Sequence, residues 1–484
     1  MANSDLRVAV IGAGPAGIAA GHELLSQGFN NITLFEKSDA VGGTWHLHTY
    51  PGLACDLWAH SYTFSYRPNP NWSASFVAQP EIEQYLQRCC TEFGLDPYVK
   101  LNTQIVSATF QANKTWQLTS DSGEQFDFDV VINAMGNQHT AQYPNVAGMQ
   151  SFQGDSWHGT RWNHDVDIAG KRVVVVGSAA SAIQVVPELA AQAGHLTVLQ
   201  RTPNWIMRRG RKFYSPALIK LFNRLPLLLR LYRRMQAYMM SFTVEGVTLG
   251  HKRMDQFEKM ARDYLHEVIE DPGLREALTP NSRYGCKRGL MSDDFYPALL
   301  RDNVELVAEG LAAVRPDGIT LVSGREIDVD IIVYCTGYRI LDYERIAVTG
   351  AGGESLAKVM ARAPQAYVGI AAPDFPNYFF AAGPNGLAIN VSYFTNVERN
   401  AKTIVNLLSD KQQAKLQAIA VKRDVNQNYN DWMVTQFSQF SWGNSSCNSY
   451  YRTDDGHAPF LFPGSFKQYN DLHNQCSLDA FEAV

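Results

Sequence analysis

One local design occurs twice in this chain, and the repetition constrains the fold more than any other feature. Val8 to Ile11 is a short apolar run, Gly12-Ala-Gly-Pro-Ala-Gly17 follows it, and Ile18 to Leu25 carries apolar residues at helical spacing. Farther on, the apolar run Arg172 to Val176 leads into Gly177-Ser178-Ala179-Ala180-Ser181-Ala182 and a helical pattern towards Leu189. Each reads as strand, tight turn and helix. Such a turn lets the backbone approach a pyrophosphate, which lies against N–H groups at the helix N-terminus. The sequence therefore predicts Gly12, Gly14 and Gly17 in one dinucleotide site, and Gly177, Ser178, Ala179 and Ser181 in a second. Ala179 and Ala182 stand where the first copy has glycine, and Ala179 crowds the diphosphate.

The residue that closes the next strand separates the two sites. The strand Ile32 to Phe35 ends in Glu36, and the strand Leu196 to Leu199 ends in Gln-Arg201-Thr202; Glu36 and Arg201 each lie 24 positions after the first glycine. A carboxylate there accepts hydrogen bonds from ribose hydroxyls, whereas a guanidinium holds a 2'-phosphate through charge-assisted bonds. The first site reads as FAD and the second as NADPH. A further echo supports two related units. Asp129-Val-Val-Ile-Asn-Ala-Met-Gly136 and Asp330-Ile-Ile-Val-Tyr-Cys-Thr-Gly337 each place glycine seven positions after aspartate, as buried strands ending at a turn do.

The most specific block is Gly42-Gly43-Thr44-Trp45-His-Leu-His-Thr-Tyr-Pro-Gly-Leu-Ala-Cys-Asp56. It fits [AG]-G-x-W-x-x-x-x-[FY]-P-[GM]-x-x-x-D at every defined position. Between the two glycine turns lies Phe152-Gln-Gly-Asp-Ser-Trp-His-Gly-Thr-Arg-Trp162, with the spacing F-x-G-x-x-x-H-x-x-x-W. Both patterns resemble fingerprints of the type I Baeyer-Villiger monooxygenases, flavoenzymes that insert one oxygen atom of O2 beside a ketone carbonyl. Asn163 departs from the Pro or Asp usual in that family. Cys335-Thr336-Gly337-Tyr338 resembles the A-T-G-[YF] motif of two-dinucleotide flavoproteins.

The resemblance implies roles. Asp56 corresponds to the family's active-site carboxylate, and Gly43, Thr44 and Trp45 lie in the loop that folds around the flavin. In Gly285-Cys-Lys287-Arg288, Lys287 approaches the NADP 2'-phosphate and Arg288 is the active-site arginine. Tyr450 stands where the family usually carries a Trp near the nicotinamide cofactor. His158 is treated by the family as important for domain movement. The loop Ala381 to Asn390 resembles the substrate-side segment, an apolar wall or ordinary core. The implied reaction is NADPH- and O2-dependent: hydride passes to FAD, O2 adds to give a C4a-peroxyflavin, and its attack on a ketone yields an ester or lactone, with sulfoxidation as a side reaction. A permanently protonated guanidinium suits that chemistry, since it can hold the peroxide anionic and stabilise a developing oxyanion.

The expected fold is α/β, with two Rossmann-like dinucleotide-binding domains and an inserted helical subdomain. The FAD domain takes residues 1–145 and 346–484. The NADPH domain takes 146–205, with a linker at 146–170, and 283–345, and the helical insert takes 206–282. Arg208, Arg209, Arg211, Lys212, Lys220, Arg224, Arg230, Arg233 and Arg234 meet no acidic residue before Glu245. Such an insert is read first as a domain cap that helps draw in NADPH, and second as a peripheral membrane contact; Pro226 interrupts any single long helix.

The remaining features fit a soluble enzyme of about three ordinary domains: 484 residues, 45% hydrophobic, 18% charged, net charge −5. That balance argues against nucleic acid as a partner and leaves a small ketone and O2. The beginning, Met-Ala-Asn-Ser-Asp-Leu-Arg, lacks the basic and apolar regions of a signal peptide, no apolar run in the insert can span a bilayer, and the seven cysteines are scattered without a C-x-x-C pair, which fits a reducing compartment. The expected location is cytoplasmic. Metal and serine-nucleophile patterns are missing. Three alternatives carry different requirements: oxidation of sulfur or nitrogen has less use for Arg288, a disulfide reductase needs a redox cysteine pair beside the flavin, and a flavin sensor needs no substrate.

Overall fold

A computed structural model describes residues 5–340, 342–443, 447, 451–453 and 458–484. Two five-stranded parallel sheets dominate it. The first runs, in spatial order, Tyr378–Phe380, Val130–Asn133, Val8–Ile11, Ile32–Phe35 and Val99–Lys100. The second runs Val304–Val307, His195–Leu199, Arg172–Val176, Ile331–Tyr334 and Asp155–His158. Their central strands are nearly continuous buried apolar runs rich in Val and Ile because both faces are covered, as parallel sheets require. Helix Pro15–Ser26, which has proline at its start and a flank of Ala16, Ala19 and Ala20, packs with helix Tyr393–Gln413 in the core that covers the first sheet.

The repeat extends to an ion pair. The Arg7 backbone N–H and guanidinium both donate to the Asp129 carboxylate, each at 2.8 Å. Arg172 makes the same two bonds to Asp330, again at 2.8 Å. Partly exposed, such a pair is worth about 1 kcal/mol or less, so its main effect is to fix where each strand starts. Downstream, Gly12 and Gly177 take φ of +107° and +114°. A Cβ on Gly12 would sit 2.6 Å from the Ala134 carbonyl oxygen, and one on Gly177 would sit 2.5 Å from that of Cys335. Both turns thus close against the end of the strand that each Asp begins.

Two departures from the sequence reading concern strands. An antiparallel meander precedes each of those closing strands, at Ile105–Phe128 in the first unit and Leu311–Asp328 in the second. The linker is no simple connection, since Asp155–His158 pairs in parallel with Ile331–Tyr334 as the edge of the second sheet. Trp157 and His158 at its end are both buried. Helices Pro216–Arg224, Pro226–Ser241, Thr243–Val247, Lys252–Val268 and Pro272–Leu278 lie between the short paired strands Ile206–Met207 and Leu290–Met291. Leu225 separates the first two, and Pro226 starts the second helix. Among the described residues, no helix is long and apolar enough to cross a membrane.

Candidate active site

The glycine turn and the Gly42–Asp56 block meet backbone to backbone. The Gly42 N–H donates to the Ala13 carbonyl at 3.1 Å, and a Cβ on Gly43, whose φ is +57°, would come within 2.8 Å of the Gly14 Cα. The chain then runs through helix Thr44–Leu47, where buried Trp45 donates from its indole N–H to the Tyr62 hydroxyl at 3.0 Å. Past it, Tyr50 donates to Gln184 at 3.1 Å, and Gln184 donates to the Ala54 carbonyl at 3.0 Å. This block therefore lies on helix Ala182–Ala190 of the second unit and ties the two glycine turns together.

Between them is a cavity of ≈ 1100 Å³. Gly12, Gly14, Glu36, Gly43, Thr44, Trp45, Asp56, Ser181, Lys287 and Arg288 line it; Gly17, Gly177, Ser178, Ala179, Arg201 and Thr202 do not. Gly17 packs beneath its own turn, facing the Gly12 carbonyl. The Glu36 carboxylate is buried and already accepts bonds from the Ala13 N–H at 2.9 Å and the Ser38 N–H at 3.0 Å. Each carboxylate oxygen can still accept another hydrogen bond.

Arg201 and Thr202 end the strand His195–Leu199 in solvent, and Lys287 donates to the Thr202 hydroxyl. Burial and the Arg201 charge lower the Lys287 pKa. One residue on, Arg288 donates to Asp56 at 2.7 Å. Lys287 thus reaches the second unit while Arg288 reaches the fingerprint loop of the first. Leu387, Ala388, Ile389 and Val391 line the cavity, while Leu387 and Ala388 also belong to hydrophobic cores, so that loop is both wall and core. Tyr450 lies outside the described residues.

Several cavity residues were not anticipated. Lys37, His139, Arg161 and Arg345 line it together, and Lys37 contacts His139 directly. Burial, with Arg161 and Arg345 nearby, lowers Lys37 to about 8, and burial beside Lys37, Arg345 and Arg161 lowers His139 to about 3. Positive charge is crowded here beyond what Glu36 and Asp342 offset, as a site for a polyanion should be. The signal was present in Lys37, next to Glu36, and in Arg161, inside the second fingerprint.

That fingerprint is built around His158. Its Nδ1 accepts from the Thr160 N–H at 3.2 Å, its ring lies edge-on to Tyr143, and burial lowers its pKa to about 4. Trp162 meets Trp157 edge to face at 5.4 Å. Asn163 caps a turn by accepting from the Asp165 N–H at 3.0 Å, a task that Asp performs equally well.

The cysteines depart from expectation. Cys286, beside Lys287, forms a disulfide with Cys447, and their Cα atoms are 5.5 Å apart. Both are buried and neither lines the cavity. Cys89 and Cys90 are buried free thiols within helix Gln79–Glu92. No group of three or more metal-ligating side chains occurs among the described residues.

Comparison with known proteins agrees with this architecture. A family model described as flavin-binding monooxygenase-like matches residues 5–347. A Baeyer-Villiger monooxygenase of Pseudomonas aeruginosa is 35% identical over 479 residues, spanning 98% of this chain and 91% of that protein. Another from Streptomyces coelicolor is 33% identical over 492 residues, spanning 100% and 93%. Among solved structures, an oxidised steroid monooxygenase bound to NADP superposes with a TM-score of 0.85 at 25% identity, and a closed cyclohexanone monooxygenase with 0.88 at 25%; each match covers 99% of both chains.

Proposed function

The chain belongs to the flavin-binding monooxygenase-like family as a Baeyer-Villiger monooxygenase, and on that footing we propose which residues carry its reaction and what they act on. It is an NADPH-dependent flavin monooxygenase with FAD and NADP as cofactors and a small molecule and O2 as substrates. The substrate is a ketone, and the product an ester or lactone. The observation that carries this reading is the Arg288–Asp56 ion pair on the cavity wall.

The residues fit both cofactors. The Gly14–Gly43 approach leaves backbone rather than side chains facing the first turn, and Lys37, Arg161 and Arg345 supply charge for a diphosphate. Arg201, Lys287 and Thr202 offer two cations and a hydroxyl to a 2'-phosphate. When bound, the flavin supplies the activation of O2. Asp56 holds the guanidinium of Arg288, and Arg288 stabilises negative charge on the oxygen that attacks the ketone and on the carbonyl oxygen as it becomes an oxyanion. Leu387, Ile389 and Val391 keep water away from that place. Sulfur or nitrogen oxidation gains little from such a cation and is the second reading.

The two parallel sheets support an FAD domain at 1–145 and 346–484 and an NADPH domain at 146–205 and 283–345, with helices between 206 and 282. A cytoplasmic location belongs to the same reading; five free cysteines support it and the Cys286–Cys447 disulfide weighs against it. The test is to supply the purified protein with FAD, NADPH, O2 and a panel of ketones and sulfides, and to identify products. Ester or lactone formation is expected; sulfoxide alone would replace the ketone reading with the second.

A further inference from the structure

Helix Pro226–Ser241 buries one side and leaves the other uncovered. Leu229, Gln236 and Met240 are buried, and Arg233 reaches back to donate to the carbonyls of His60 and Thr63, both at 3.2 Å. On the outer side Leu227, Leu231, Met235 and Tyr238 recur every three or four residues and form one stripe. They are 69%, 53%, 48% and 65% exposed. Leu225, just before the helix, and Phe213 are exposed as well, at 49% and 73%. Isolated apolar side chains on a surface need no explanation, but a contiguous row marks a contact.

Charge says what kind of contact it is. Lys212, Lys220, Arg224, Arg230 and Arg234 are exposed in the same segment, and no Asp or Glu occurs from 206 to 244. At about 100° per residue, Arg230 and Arg234 run along one flank of the stripe and Met239 falls on the other. An apolar row edged by cations, with no anion in its own segment to repel phosphate, complements a bilayer that has hydrocarbon beneath anionic headgroups. A solvated domain cap would have polar residues where Leu227 and Leu231 stand. The uncovered stripe therefore reverses the weighting that sequence alone gives to a cap.

We propose that the stripe from Leu227 to Tyr238, with its flanking arginines, docks this protein on the surface of an anionic lipid bilayer. The helix lies in the headgroup plane and does not cross. Met239, 46% exposed at the end of the stripe, also lines the cavity, so docking sets one side of the cavity beside the lipid.

The test is flotation of the full FAD-loaded enzyme with vesicles of phosphatidylcholine alone or with roughly 30% phosphatidylglycerol. The enzyme should float with the anionic vesicles, less so as salt rises, and stay behind with the neutral ones. Arg230→Glu with Arg234→Glu, and separately Leu227→Ser with Leu231→Ser, should each lower partitioning by about tenfold or more. Both variants should retain the native melting profile and NADPH oxidation. Absence of flotation by the native enzyme overturns the proposal, as does equal flotation with neutral vesicles or undiminished flotation of both variants. Sedimentation without lipid tests the other occupant: a dimer that the leucine variant splits, together with no flotation, would assign the stripe to a second copy and overturn the lipid proposal.

Discussion

The guanidinium of Arg288 and the carboxylate of Asp56 meet at 2.7 Å although 232 positions separate them in the chain. One belongs to the segment that leaves the helical insert, the other to the end of the Gly42–Asp56 block, so the pair exists only when the two units are assembled. Arg288→Ala should still bind FAD and oxidise NADPH. Ester formation should fall on the order of 100- to 1000-fold, as when an oxyanion donor is lost, with hydrogen peroxide released instead. A normal rate of ester formation would remove Arg288 from the chemistry.

Lys287, from a distant part of the chain, donates to the Thr202 hydroxyl and lies in the field of Arg201, the residue before Thr202. Arg201→Ala should raise KM for NADPH roughly 10- to 100-fold, the usual weight of a charge-assisted bond, and leave KM for NADH nearly unchanged. Steady-state kinetics with both coenzymes decides it: an equal rise for both would dissociate Arg201 from the 2'-phosphate.

Gly43→Ala places a methyl group within 2.8 Å of the Gly14 backbone at a positive φ. Backbone on both sides leaves no flexible neighbour to yield, so the turn and the block must separate. Purified variant should carry less FAD per chain than the native protein and melt earlier. Native flavin content together with a native melting temperature would count against this contact as the cradle.

His60 is 1% exposed and enclosed by Tyr214, Phe222 and Tyr232. Burial lowers its pKa from 6.5 to about 4. On acidification the unfolded chain therefore takes up a proton before the folded one does. Stability from the neutral ring is intact above pH 6.5 and is lost as pH falls towards 4, with a cost on the order of 2 kcal/mol at pH 5. His60→Phe should flatten this acid limb in denaturant titrations at pH 7 and pH 5. A parallel loss in variant and native protein would assign the acid sensitivity elsewhere.

What could be read from sequence was what local spacing encodes. The two turns, Glu36 against Arg201, and the defined positions of the Gly42–Asp56 block are short-range patterns set by backbone approach and charge. The meanders escaped because their faces differ in burial only after the sheets are stacked: Gln125–Phe128 mixes exposed and buried positions within four residues. The positive cluster escaped because Lys37, Arg161 and Arg345 come from three distant segments. The Cys286–Cys447 disulfide, spanning 161 positions, has no local signature at all. Exposure of the Leu227 stripe was equally hidden, since a leucine row at helical spacing has the same sequence whether it is covered or bare.

Asn133 and Tyr378 touch through a 3.0 Å hydrogen bond across 245 positions, where Tyr378–Phe380 lies along the Val130–Asn133 edge of the first sheet. On a ribosome this has a temporal meaning. Strands of the second sheet all fall between 155 and 334, so that sheet can be completed while the edge at Val130–Asn133 is still bare. At roughly 5–20 residues per second, the nascent edge waits for some tens of seconds, open to pairing with another chain. The unit begun first is thus the one that closes last.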